Sequence, residues 1–140
     1  ARAAAAAALV GGASALWIMA RNRDAAAALQ ASTGLPGGAI AMGDAVPADI
    51  GLVFNATSLG MVGQPPLVLD LSGLPADAVV FDAVYVPLET PLLAAARARG
   101  LATIDGLAML IGQAATAFRL FYGSEAPREH DRELKALLTT

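Results

Sequence analysis

Four short apolar runs, each cut off by polar residues, constrain this chain more than anything else in it. Residues 16–19 run into Arg21, Asn22, Arg23 and Asp24; Leu52, Val53 and Phe54 break into Asn55, Ala56, Thr57 and Ser58. Val79, Val80 and Phe81 stop at Asp82, and residues 101–104 stop at Asp105. Short apolar runs bounded by such signals fit strands buried on both faces, as in a parallel sheet. Helical stretches lie between them, and that alternation predicts an α/β protein: a parallel sheet with helices on both faces.

In an open parallel sheet, ligands bind in the crevice outside the carboxyl ends of the strands. The stretch 52–63, LVFNATSLGMVG, is therefore where function is expected. Its polar groups begin where a buried strand stops, and Gly60 and Gly63 let the backbone turn.

The connecting elements carry their own signals. Residues 3–10 are alanine-dense and predict a helix closed by Gly11 and Gly12. Asp24 reads as the N-cap of a helix over 25–32, and Gly34, Pro36, Gly37 and Gly38 as a loop before a candidate strand at 39–42. After Pro65 and Pro66, residues 67–71 are either a short strand or an extended loop. Thr90 followed by Pro91 predicts an N-cap and first turn, with the helix running to about Arg99 and stopping at Gly100. Asp105 should cap a helix over 106–122, whose core stripe is expected to be Leu107, Leu110, Ile111, Ala114, Phe118, Phe121 and Tyr122. Met109, Gln113 and Thr116 share a different face of it. A last amphipathic helix is expected over 127–138, with Leu134, Leu137 and Leu138 on one side.

With 56% hydrophobic and 15% charged residues among 140, no internal repeat and no domain linker, the chain reads as one domain's worth of folded protein rather than a disordered chain. A net charge of -3 gives no footprint for nucleic acid. The absence of cysteine excludes disulfides and thiolate chemistry, and a single histidine, His130, excludes a His-rich metal cluster. His130 lies among charged residues of the terminal helix and is read as non-catalytic, as Arg97 and Arg99 are read as solvated. No apolar run reaches the roughly 20 residues that span a bilayer, so no membrane partner is expected, and with no signal peptide evident the expected setting is cytoplasmic.

Taken together, several segments resemble the C-terminal, nucleotide-binding part of the shikimate dehydrogenase family, including its quinate/shikimate relatives. The matching pieces are Asn22-Arg23 after a strand; Asn55-Ala56-Thr57-Ser58-Leu59-Gly60-Met61; Asp82-Ala83-Val84-Tyr85 with Thr90-Pro91-Leu92-Leu93; and Asp105-Gly106-Leu107-Ala108-Met109 leading to Gln113. The resemblance implies NADP-dependent, reversible hydride transfer between shikimate and 3-dehydroshikimate, with no metal. It also implies that residues 1–140 are a partial nucleotide-binding, Rossmann-like domain with C-terminal helices, and that the first strand, its glycine-rich phosphate turn and the substrate domain with its proton-transferring Lys and Asp lie outside this chain, so that no catalytic residue is expected within it. A sheet without that strand would have unpaired edges and be marginal or aggregation-prone in isolation.

By the same resemblance, Arg23 should pair with an adenosine 2′-phosphate, which favours NADP over NAD, and Asn22 can donate to it. Asp24 departs from the family's usual Thr or Ser and would weaken that selectivity. Thr57, Ser58 and Leu59 should line the cofactor crevice, while Ala83, Gly106 and Met109 approach the nicotinamide. Tyr85 and Gln113 should contact substrate, a phenol and a carboxamide being suited to orientation rather than proton transfer. A quinate-preferring enzyme and a non-catalytic nucleotide-binding or regulatory module remain as alternatives, and a homodimer stays open.

Overall fold

The computed structural model describes residues 1–137. Leu138, expected on the apolar side of the last helix, lies outside the described residues. The chain divides into two compact units, Ala1–Pro47 and a second beginning at Ala48. Both are α/β, with parallel strands flanked by helices in the Rossmann manner.

In the first unit, α1 (Arg2–Val10) is followed by β1 (Leu16–Ala20), α2 (Arg23–Ala31) and β2 (Gly37–Ala41). β1 and β2 pair in parallel from Leu16↔Gly37 to Ala20↔Ala41, and α2 lies against both. A crossover helix between neighbouring parallel strands is the βαβ unit that the alternation of runs predicts. The N-cap of α2 is Asn22, whose side-chain oxygen accepts from the Ala25 amide at 2.9 Å; Asp24 falls within the first turn. This corrects the expected cap, because the extended backbone required of a cap residue belongs to Asn22. β1 is only half-buried and Trp17 is 41% exposed, short of the fully buried strand that its composition suggests.

The second unit holds a three-stranded parallel sheet in the order β3 (Leu52–Asn55), β4 (Val79–Asp82), β5 (Ala102–Ile104). α3 (Pro91–Ala98) crosses from β4 to β5 and packs on both, burying Leu92, Leu93 and Ala96 against a sheet whose Val80 is fully enclosed. Each such leucine contributes roughly 1.5–3 kcal/mol of apolar burial. Phe54 and Phe81, partners in the β3–β4 register, stack with ring centroids 4.4 Å apart. Residues 67–71 form no strand, but Leu67, Leu71 and Leu74 are buried and anchor the long connection to β4. Arg99 donates to the Ser72 carbonyl at 3.2 Å and Arg97 pairs with Glu89 at 2.6 Å, so neither is merely solvated.

α4 (Gly106–Tyr122) begins at an Asp105 cap, with Ala108 N donating to its carboxyl at 2.9 Å, and ends at Gly123 in the left-handed conformation. Its expected core stripe is not buried: Leu107 is, but Leu110 is 40% exposed, Phe121 83% and Tyr122 73%. Helical periodicity identifies an apolar face without saying whether anything covers it. α5 (Asp131–Leu137) starts later than the expected 127 and is tied to α4 by Lys135, whose ammonium donates to Asp105 at 2.6 Å. No helix among the described residues is long and apolar enough to cross a membrane, and none of their His, Asp and Glu residues cluster into a metal site.

Candidate functional site

β3 and β4 run parallel and in register, so they end at the same level, with Asn55 opposite Asp82. Beyond that level the chain leaves each strand as a loop, and the loops form the two walls of an open groove of about 300 Å³. Residues 56–58 and Met61 line it from one side and residues 83–86 from the other. The Val62 amide donates to the Val86 carbonyl at 3.2 Å, joining the walls. Gly60 and Gly63, both with positive φ (89° and 79°), make the turns that bring Met61 back over the groove.

Beneath the groove lies a buried polar cluster. Asn55 Nδ2 donates to Asp82 Oδ1 at 2.8 Å and to the Leu59 carbonyl at 3.1 Å. Asn55 Oδ1 accepts from the Thr57 amide at 3.0 Å and from the Thr57 hydroxyl at 2.7 Å. Asp82 accepts additionally from the Val84 amide at 3.0 Å and from the Thr90 hydroxyl at 2.7 Å. Thr90 in turn caps α3 by accepting from Leu93 N at 3.3 Å. No buried side-chain polar atom is left without a partner among the described residues.

The expected site residues divide accordingly. Thr57, Ser58, Ala83 and Tyr85 meet at one groove. The Thr57 hydroxyl is committed to Asn55 and to the Leu59 amide, so its side chain holds the loop; the Ser58 hydroxyl is engaged by nothing described. Leu59 does not line the groove, and its amide and carbonyl serve the internal network instead. Gly106 is buried, and a Cβ there would stand 2.3 Å from the Ala83 carbonyl oxygen, so its lack of a side chain is required by the groove wall itself. It also donates to the Val84 carbonyl at 3.2 Å, fastening the start of α4 to that wall. Met109 and Gln113 follow on α4 one and two turns later, half-buried and exposed respectively, and do not line the groove. Asn22, Arg23 and Asp24 belong to the first unit, at the N-terminal turn of α2.

Tyr85 is half-exposed and is the single ionisable side chain on the groove. No carboxyl, lysine or histidine among the described residues lines it, so the groove can receive and orient a flat, largely apolar ring but offers no evident proton shuttle. His130 is exposed and faces Glu133 at 3.0 Å, away from this chemistry. Reading the sequence alone misses Val84, Val86 and Met61 as lining residues; their position just past strand ends is the signal that could have found them. A second depression of about 280 Å³ lies between α4 and α5, lined by Ala108, Ile111 and the charged side of α5. At the N-cap of α4, burial raises the pKa of Asp105, but the Lys135 ammonium and the Ala108 amide outweigh it and hold the carboxyl below its ordinary value.

Comparison with known proteins gives this geometry a context. The family described as Shikimate 5'-dehydrogenase C-terminal domain matches residues 106–134. The chain is 57% identical over 121 residues to a shikimate dehydrogenase (NADP(+)) of Sphingopyxis alaskensis, covering 86% of this chain and 44% of that relative. Among solved structures, a quinate dehydrogenase from Corynebacterium glutamicum in complex with NAD is 36% identical with a TM-score of 0.80, over 97% of this chain and 51% of the other. A shikimate 5-dehydrogenase from Thermus thermophilus in complex with NADP(H) and shikimate is 30% identical with a TM-score of 0.69, over 92% of this chain and 48% of the other. The chain thus spans about half the length of the proteins it matches.

Proposed function

The chain belongs to the shikimate dehydrogenase family, matching its C-terminal part, and from that premise we propose that the complete protein is an NADP-dependent shikimate dehydrogenase. It interconverts shikimate and 3-dehydroshikimate, and this chain contributes the nucleotide-binding half. The observation that carries the reading is the groove at the carboxyl ends of β3 and β4, the place where parallel α/β sheets bind their ligands.

The residues present fit a nicotinamide nucleotide. Ala83, Val84 and Met61 make an apolar surface for a flat ring; in the first unit, taken by itself, Arg23 at the start of α2 is the cation that the family resemblance assigns to a 2′-phosphate. A bound nicotinamide would supply hydride acceptance or donation. Ala83 and Val84 would hold it in the groove, with Met61 limiting the access of water. Tyr85 orients the cyclohexene acid by hydrogen bonding, and Gln113 offers a carboxamide on α4 for the same ligand. Proton transfer is assigned, as the family resemblance implies, to a lysine and an aspartate of the substrate domain. Arg23 supports NADP over NAD.

A quinate-preferring enzyme is the second reading, favoured by the similarity to the Corynebacterium quinate dehydrogenase. The test is an assay of the complete protein with shikimate and with quinate, each with NADP and with NAD, following reduction of the nucleotide. Highest kcat/KM with shikimate and NADP is expected. Preference for quinate moves the assignment to the second reading. Nucleotide binding without turnover on either acid would mark a non-catalytic module.

A further inference from the structure

We propose that Asn55 and Asp82 form a positioning pair that sets the width of the nicotinamide groove, an inference that rests on the function proposed above. Both are buried, Asn55 at 3% exposure and Asp82 at 0%, and neither reaches the groove. They are register partners at the ends of adjacent parallel strands, the last points at which the sheet itself fixes the distance between the two walls. Above them the walls are loops.

What the pair holds is main chain of both loops. Asn55 uses both amide hydrogens and accepts two bonds: it takes Thr57 by its N–H and its hydroxyl, takes the Leu59 carbonyl, and crosses to Asp82 at 2.8 Å. The oxygen of Asp82 that receives Asn55 also receives the Val84 amide at 3.0 Å. One oxygen therefore links the wall of residues 56–61 to the wall of residues 83–86. Replacing a buried polar network whole by apolar residues of similar shape is often neutral for stability, whereas removing one partner is costly, so such a network is better evidence for a specified geometry than for net stability. Fully satisfied, it specifies and rigidifies one geometry. A hydride donor and acceptor must be held about 3–3.5 Å apart, and misplacement of about 1 Å costs on the order of 100-fold in rate. The pair touches no ligand; it acts through the backbone of residues that do.

The test uses the complete protein carrying Asn55→Asp, which replaces the donor to Asp82 and Leu59 with an acceptor, beside a core control, Leu92→Val, in α3 away from the groove. Positioning predicts that Asn55→Asp lowers kcat about 10-fold or more with the nucleotide KM changed less than about threefold, while Leu92→Val keeps kcat within about twofold. It further predicts faster hydrogen exchange at the Thr57, Leu59 and Val84 amides, with the β4 amides still protected. Should Asn55→Asp not fold, Asn55→Ser, neutral and too short to reach Asp82, is read the same way. A kcat within about twofold of wild type, an equal loss in Leu92→Val, or unfolding of both Asn55 variants would overturn the proposal. If the wild-type protein has no dehydrogenase activity, the functional reading fails, and the exchange measurement still decides whether the pair holds the walls.

Discussion

Replacing Thr90 by Val removes a single hydroxyl from a site with no solvent exposure, and the structure says what that hydroxyl does. It donates to Asp82 Oδ2 at 2.7 Å and accepts from the Leu93 amide at 3.3 Å, so one atom both caps α3 and satisfies a buried carboxyl oxygen. Valine keeps the shape and removes both bonds. Loss of an N-cap costs about 1 kcal/mol, and a buried acceptor left without its donor about 1–3 kcal/mol. The two share one hydroxyl and do not add fully, so the expected destabilisation falls below their sum, at about 1.5–3 kcal/mol. Thr90→Ser keeps the hydroxyl and loses one methyl, at about 1 kcal/mol. Urea unfolding of the complete protein, followed by far-ultraviolet circular dichroism at constant m-value, measures both. A Val variant within about 0.5 kcal/mol of wild type, or no less stable than the Ser variant, would refute the roles given to this hydroxyl.

Arg23→Ala should lower the NADP-over-NAD ratio of kcat/KM by about 10- to 100-fold, the value of a charge-assisted bond of roughly 1.5–3 kcal/mol, and an unchanged ratio would remove Arg23 from cofactor selection. Tyr85→Phe should reduce kcat/KM toward the cyclohexene acid by about 2- to 10-fold while leaving nucleotide affinity alone, as for loss of one neutral hydrogen bond; equal activity would exclude the phenol from substrate contact. The Asp105 carboxyl has a lowered pKa in the folded chain, so its contribution is present above the ordinary carboxylate value and is lost as pH falls through the lowered one. Lys135→Met should therefore cost about 0.5–1 kcal/mol at neutral pH, in keeping with a partly exposed pair, and that difference should vanish once Asp105 is protonated. A difference independent of pH would show that Lys135 acts by packing alone.

Most elements were legible in the order of residues alone, although β2 takes in Gly37 and Gly38, expected as loop, and α5 starts at Asp131 rather than 127. Short apolar runs marked the parallel strands, Thr90-Pro91 and Asp105 marked two helix starts, and the polar residues at 55–58 pointed to the strand-end crevice, because these signals are local: a cap or a strand end is written within a few residues. Even locally the cap of α2 is Asn22 and not the expected Asp24, because backbone angles decide between two good cap residues. Burial was less legible. The apolar stripe of α4 has the right period, yet Phe121 and Tyr122 stand exposed, since periodicity orients a face but does not supply a neighbour. It took the folded chain to establish that Asn55 and Asp82, 27 residues apart, meet at 2.8 Å, that Thr57 spends its hydroxyl within the network, and that Gly106 is glycine because the Ala83 carbonyl crowds its Cβ position. Those facts depend on strand register, which brings together residues that no spacing along the chain relates.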